Sequence, residues 1–376
     1  MAQKKIKNTI KSKYNKFSQK EKAFIVVIIV LSLLCVGLLN QLYFSPDSTL
    51  NTPSTQESNN NNVVDVPVGE PFGDGVLNFD DALMIYFIDV GQGESIYIEF
   101  PDEKNMLIDA GSGSVVSQSR KDAYIDFFTQ FGITTINYLL LTHNHSDHHN
   151  MLTSVIDAFT IETFYYNDYP IEGTSISYQS FYNAAMQEEG ASHILFGEEG
   201  DIYTIQSDEP TEHPYQMTIY APGYNNPILS DNVNASSPIC VLEYGGRRVI
   251  FTGDALIDTE EYFMTQVEET LDITSLPSDV LKVAHHGSSG STSQAFIEFL
   301  QPQYAIISCG EVNTYNHPSA LLMNRLFNEG IITYRTNRHG NIYLAIDLDG
   351  DMIFMPQFDS PVENNKFNRD TLMYIE

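Results

Sequence analysis

Basic residues and cysteines are scarce in this sequence of 376 residues, with 19 Lys and Arg set against 49 Asp and Glu and only three Cys. The formal charge of −30 is unevenly spread. Residues 1–44 hold eight Lys and a single acid, Glu21, so the rest of the chain carries 11 basic against 48 acidic residues, a balance of −37. That sign works against loose binding to polyanions, because nucleic-acid affinity draws heavily on Lys and Arg at phosphates. Cys35, Cys240 and Cys309 form no CxxC pair and no disulfide-rich pattern. They read as buried thiols, with a Cys240–Cys309 bridge as the alternative. What is present in quantity is apolar: 42% hydrophobic residues with 22 Phe and 22 Tyr suffice for a large core and exclude disorder throughout.

From Ala23 to Leu39 the run AFIVVIIVLSLLCVGLL carries no charge, and Leu42, Tyr43 and Phe44 extend it to membrane-spanning length. Eight Lys precede it between Lys4 and Lys22. Positive residues stay cytoplasmic, so the expectation is a single-pass anchor with the N-terminus inside and the remaining chain outside the membrane. A cleaved signal peptide is the alternative, but the exit GLLNQLYFSPD lacks an A-x-A-like site and the apolar run is long for one. Residues 45–80 have the Ser/Thr/Asn/Pro composition of a tether. The expected organisation is therefore a basic segment (1–22), an anchor (23–44), a linker (45–80), a catalytic domain (81–357) and a tail or added strand (358–376).

Within the domain, LMIYFIDV (83–90), ESIYIEF (94–100) and NMLIDA (105–110) read as strands of a meander joined by tight turns. KDAYIDFFTQF (121–131) has helical apolar spacing, and INYLLLT (136–142) reads as a buried strand. QMTIYAP (216–222), PICVLEY (238–244), RRVIFTGD (247–254) and VLKVA (280–284) are further strands, a helix is expected near 294–300, and QYAIISCG and IITYRT add two more strands. Residues 160–213 show no readable pattern. Strands with interspersed helices in both halves predict an α+β fold of two packed sheets covered by helices.

The chemistry concentrates at the end of the LLLT strand, where His143, His145, Asp147 and His148 lie within six residues. An extended backbone sends alternate side chains to one face, so His143 and His145 can share one ion. Asp147 and His148 follow where the chain turns and can serve a second. Imidazole and carboxylate suit zinc, manganese or iron. His149 fits no position in this pattern and is expected at the surface. Asp254 ends the strand RRVIFTGD as a candidate bridging carboxylate, and His285 and His286 end VLKVA, one of them a ligand.

FIDVGQGES (87–95), LIDAGSG (107–113), HNHSDHH (143–149), NASSPICVLEYGG (234–246), FTGD (251–254), LKVAHHGSSGSTS (281–293), NTYNHPS and YRTNRHG occur in the order seen in the metallo-β-lactamase superfamily. The match resembles, more narrowly, its ComEC-type competence metallo-hydrolase domain. The resemblance implies a four-layer αββα sandwich with two divalent ions at one edge of the sheets, zinc foremost and manganese second, and a hydroxide held between them. It carries His143 and His145 to the first ion, Asp147 and His148 to the second, Asp254 to the bridge, and His285 or His286 to the second. The superfamily's usual third histidine at the first ion would fall near the NASS segment, where none is present. Asn234, Ser236 and Ser237 are expected beside a more open first ion. Asp89 and Gln92 of FIDVGQGES, and His339, are expected to contact substrate or support the ligands. The common glycine pair after the histidine motif is replaced by Asn150 and Met151. The resembled protein also has a many-helix channel domain, whereas one apolar span is present here, so this chain is not expected to form a DNA channel by itself.

Two divalent ions acidify a water and stabilise charge on oxygen, so hydrolysis is the expected reaction, with Asp147 positioning the nucleophile and His317 as substrate contact or proton donor. A phosphodiesterase or nuclease outside the cell fits the motifs, against the −37 balance. A hydrolase of an envelope ester or phosphodiester fits the acidity. A non-catalytic metal-binding domain docked on a separate membrane partner is opposed by the complete ligand set. β-Lactam hydrolysis is disfavoured, because ComEC-like motifs replace the antibiotic-hydrolysing pattern.

Overall fold

A computed structural model describes residues 81–358 apart from 170–173, 198–199, 209–210, 228 and 231, together with two short strands at 367–368 and 373–374. The basic segment, the apolar run, the linker and Cys35 lie outside the described residues. No helix among the described residues is long and apolar enough to cross a membrane.

Among the described residues the strands form two main sheets. The first runs, in spatial order, β15 (Met352–Pro356), β14 (Ile342–Ile346), β1 (Leu83–Phe87), β2 (Ile96–Glu99), β3 (Asn105–Ile108), β4 (Thr135–Leu140), β5 (Thr160–Asn167) and β6 (Ser192–Phe196). The second runs β13 (Ile332–Arg335), β12 (Tyr304–Ile307), β11 (Val280–Lys282), β10 (Arg247–Phe251), β9 (Ile239–Tyr244), β8 (Tyr215–Ala221) and β7 (Asp201–Gln206). β1 to β3 form the expected antiparallel meander, while β3 to β6 and β10 to β13 pair in parallel. Parallel strands advance through crossovers, so several chain segments leave the sheets at the same end.

The period of two decides which residues build which layer. Ile96 and Ile98 enter the core between the sheets, with Met217, Leu242, Val249 and Phe251 from the facing sheet. Tyr97, between them, faces outward to Tyr124 and Phe128 of α1 (Gln118–Gln130) and to Leu152 of α3 (Leu152–Ala158). On the other side, Ile250 and Leu281 pack outward against Phe263 of α5 (Ile257–Leu271) and Phe296 of α6 (Gln294–Leu300). The result is a two-sheet α+β sandwich with helices on both outer faces.

Several expectations shift. Helix α1 begins at Gln118 rather than near Lys121, because the Ser117 hydroxyl caps it by accepting from the Arg120 N–H at 3.3 Å. The unreadable stretch 160–213 holds three strands and α4 (Ile176–Gln187). Its aromatic residues sit on both faces of β5 and blur the alternation. Cys240 and Cys309 are buried free thiols, so the alternative bridge is not formed. Beyond 358, the strands Phe367–Asn368 and Met373–Tyr374 pair with each other and add to neither main sheet.

Ile98 is fully buried and flanked in register by Ile85 and Met106. Ile98→Ala should lower the unfolding free energy by about 2–5 kcal/mol through lost transfer energy and an uncollapsed cavity. The chain has no Trp, so urea denaturation followed by far-UV circular dichroism is the measurement.

Candidate metal centre

The cluster forms where strand ends of both sheets meet. After β4 the chain stays extended to His145 (φ −77°, ψ 146°) and then turns into the short helix α2 (Ser146–His149). Asp254 follows β10, and His285 and His286 follow β11 through a short 3-10 turn. Two glycines let this assembly close. A Cβ at Gly93 would stand 2.6 Å from the Asp147 carbonyl oxygen, and one at Gly111 would overlap the Asp147–His148 peptide.

The distances bring together His143, His145, Asp147, His148, Asp254 and His286. His143 Nε2 lies 3.1 Å from His145 Nδ1. His148 Nε2 lies 3.3 Å from His286 Nε2, and His286 Nε2 lies 3.5 Å from Asp147 Oδ2. Asp254 sits between the two groups, with Oδ2 3.8 Å from His143 Nε2 and Oδ1 3.3 Å from His148 Nε2 and 3.6 Å from His286 Nε2. Of the adjacent histidines, both lie near Asp254, His285 Nε2 at 3.8 Å from Oδ2 and His286 Nε2 at 3.6 Å from Oδ1. His286 is buried and pairs with Asp147, whereas His285 is partly exposed, and its Nε2 meets Asn234 Nδ2 at 3.1 Å.

Hydrogen bonds on the far side of three rings set which nitrogen faces inward. His148 Nδ1–H donates to Asp109 Oδ2 at 2.7 Å, and His286 Nδ1–H donates to the Ser308 carbonyl at 2.9 Å. The Thr142 hydroxyl gives its proton to Asp109 at 2.7 Å, so it can only accept from His143 Nδ1 at 3.1 Å. In the neutral rings each Nε2 therefore turns a lone pair into the cluster. Neutral rings whose lone pairs face one another across 3.3 Å beside the buried Asp254 carboxylate repel unless a proton or a metal ion lies between them. Ligand nitrogens around a tetrahedral zinc stand about 3.3 Å apart, given a zinc–nitrogen bond of roughly 2.0–2.1 Å. The donor set fits divalent metal. His143, His148 and Asp254 form one possible group, and Asp147, His148 and His286 another.

Burial pushes the His143 and His145 rings below the usual histidine range. Burial also opposes charge on His148, but the carboxylates of Asp254 and Asp109 outweigh it and raise that ring. For Asp254, burial favours the neutral acid, yet His286 and His148 hold it well below the normal carboxylate range.

Other expected site residues take different places. Ser237 Oγ accepts from the Asp254 N–H at 3.2 Å and lies 3.3 Å from His143 Nδ1, so the NASS segment does border the first histidines. Ser236 turns away to Tyr169 and the Val233 carbonyl. Asp89 accepts from the Gly91 N–H, and Gln92 Oε1 accepts from the Gly310 N–H, so both shape loops beside the cluster. His317 stacks on Tyr315 and meets the edge of His285 with ring centres 5.5 Å apart. Burial and the neighbouring His285 lower its pKa to about 4. His339, at the end of the short helix Thr336–His339, accepts from the Arg335 N–H and packs on Tyr334.

The expectation for His149 is corrected. It is fully buried, with Nε2–H donating to the Asn144 carbonyl at 3.1 Å and its ring edge on Tyr178 of α4. The helical turn of α2 carries it beneath α4, a cover that local sequence does not reveal. At the replaced glycine pair, Asn150 is in right-handed helical geometry and its side chain bonds Ser112 and Gly113, which ties the turn to the LIDAGSG loop. Sequence reasoning missed Asp109, Glu94 and Lys282. A charged residue inside the apolar strand VLKVA was the available signal for the last.

A family model described as the metallo-beta-lactamase superfamily matches residues 88–214 and 234–311. The chain is 29% identical over 286 residues to ComE operon protein 3 of Bacillus subtilis (strain 168), covering 73% of this chain and 34% of that protein. It is 25% identical over 264 residues to competence protein ComA of Neisseria gonorrhoeae, covering 70% and 32%. It is also 25% identical over 240 residues to recombination protein 2 of Haemophilus influenzae (strain ATCC 51907 / DSM 11121 / KW20 / Rd), covering 64% and 26%. The chain thus spans about a third or less of the length of these relatives.

Asp109→Asn removes the charged acceptor that orients His148. Zinc affinity, measured by competition with a chromophoric chelator, should fall by about 10–100-fold. Gly111→Ala should lower metal content more severely, because its methyl group displaces the Asp147–His148 peptide; elemental analysis of the purified protein reads this.

Proposed function

Because this chain belongs to the metallo-β-lactamase superfamily, we propose that it is a hydrolase that works with two divalent ions, anchored in the membrane by residues 23–44, cleaving phosphodiesters outside the cytoplasm. The observation that carries the reading is the inward-facing lone pairs of His143, His148 and His286 around Asp254. His143 and His145 would hold the first ion, Asp147, His148 and His286 the second, and Asp254 would face both. Zinc or manganese bound there supplies Lewis acidity and a water acidified toward neutral pH.

The chain's own residues divide the remaining work. Burial favours a neutral Asp147, but the hydrogen bond from His286 and the charges of His148 and His286 hold its carboxyl below the usual range, leaving it ionised. With part of its side chain exposed, Asp147 is placed to orient an attacking water and accept its proton at a carboxylate oxygen. His317 is neutral near pH 7, which favours contact with substrate over proton donation. Asn234, held against His285, borders the open side of the first histidines.

Nucleic acid is the substrate class suggested by the likeness to competence proteins. The −37 balance outside the N-terminal segment means that affinity for phosphates would come from the ions rather than from Lys and Arg. The same acidity supports a second reading, hydrolysis of an envelope ester or phosphodiester.

The test uses the full chain in detergent, stripped of metal and reloaded with zinc or manganese, on bis(p-nitrophenyl) phosphate and single-stranded DNA. Metal-dependent turnover of both is expected, reduced at least about a hundredfold in Asp147→Ala. Cleavage of the small diester without DNA cleavage would move the assignment to the envelope reading. Two bound ions without cleavage of either would overturn both.

A further inference from the structure

Beneath the cluster lies a charged pair that the proposed chemistry does not use. Lys282 Nζ stands 2.6 Å from Glu94 Oε2, and both side chains are completely buried. Nζ also donates to the Val283 carbonyl at 2.9 Å, while Glu94 Oε1 is buried without a hydrogen-bond partner. An oxygen of Glu94, one of Asp254 and a nitrogen of His286 all lie within 4.8 Å of one another.

The attachments at each end are what give the pair a function. Glu94 belongs to the loop between β1 and β2 of the first sheet. Its N–H donates to the Asp147 carbonyl at 3.0 Å, and its own carbonyl accepts from the Gly111 N–H at 3.1 Å. Lys282 ends β11 of the second sheet, four residues before His286. Its carbonyl accepts from the Thr252 hydroxyl at 2.7 Å, two residues before Asp254. The ion pair thus joins the segment carrying Asp147 and His148 to the segments carrying Asp254 and His286. Those four residues reach the second ion's position from opposite sheets, and their spacing depends on how far apart the sheet ends are held. His143 and His145, two residues apart on one extended segment, depend on that distance only through Asp254.

We propose that Glu94 and Lys282 are positioning residues forming a buried strut across the two sheets, which sets the second metal site and reaches the first only through Asp254. The inference rests on the two-ion reading above. A buried ion pair brings no reliable gain in stability over apolar residues of similar size, so retention for geometry is the physical alternative to retention for stability.

The decisive measurement is zinc binding by the full chain in detergent, with stoichiometry from elemental analysis and stepwise affinity from calorimetry. It compares the wild type with the double variant E94Q/K282M, which removes both charges at once. The expected result is two ions in the wild type. The double variant should keep its metal-free melting temperature, lose little affinity for the first ion, which the strut reaches only through Asp254, and bind the second ion about 10–100-fold more weakly. Wild-type affinity for both ions in the double variant would overturn the proposal, as would equal weakening of both. A wild type that binds fewer than two ions would overturn the two-ion reading, and the strut with it. Should the double variant fail to fold, Glu94→Asp decides by the same criterion, since it keeps both charges but shortens the strut by one methylene.

Discussion

A buried imidazole whose Nδ1 is already hydrogen-bonded has one thing left to offer, the lone pair on Nε2. Three rings in this protein are committed in that way, by Asp109, Thr142 and Ser308, and all three aim at the same volume. Lone pairs on neutral rings cannot hydrogen-bond one another, so a proton or a metal ion must lie between them and the Asp254 and Asp147 carboxylates. Much else in the structure serves to assemble that arrangement: the parallel strand order that brings chain exits to one end, the glycines that let loops touch, and the polar contacts behind each ring.

Holding the arrangement together requires local conformations that most side chains avoid. His285 and His286 both adopt left-handed backbone geometry, at φ 51° and 53°, as does Asp109 at φ 57°. Conformations of this kind cost on the order of 1–3 kcal/mol each and persist when surrounding contacts over-determine them. The contacts are visible here. Asp109 accepts from the Thr142 N–H and hydroxyl as well as from His148. The turn at His286 is closed by its bond to Ser308 and by Gly287, where a Cβ would stand 2.6 Å from Pro318 Cβ. Strain and support occur at the same residues, which is the expected signature of a site whose geometry matters more than its stability.

The division between the two proposed ions follows from the same topology. The first histidines come from one extended segment, so their spacing is a property of local backbone. The second group combines Asp147 and His148 with Asp254 and His286, drawn from different sheets, and therefore depends on packing between layers. The buried Glu94–Lys282 contact, between residues 188 positions apart, lies across that boundary. Beside the first histidines stand two buried polar residues, Ser237 at His143 Nδ1 and Asn234 at His285 Nε2.

The sequence by itself determined β1 to β4, β8 to β13 and the candidate ligands, but not β14 and β15. Period-two alternation, turn residues and the histidine spacing are local, and they act through backbone geometry within a few residues. It did not reveal the elements within 160–213, where aromatics on both faces hide the period, or the burial of His149 beneath α4. Only the tertiary structure turned His286 toward Asp147 and His285 toward Asn234, supplied Asp109 as the partner of His148 across 39 residues, and joined Glu94 to Lys282. The reason is that the direction of a ring nitrogen and the pairing of a buried charge depend on neighbours distant in sequence. Those neighbours meet only when the two sheets pack.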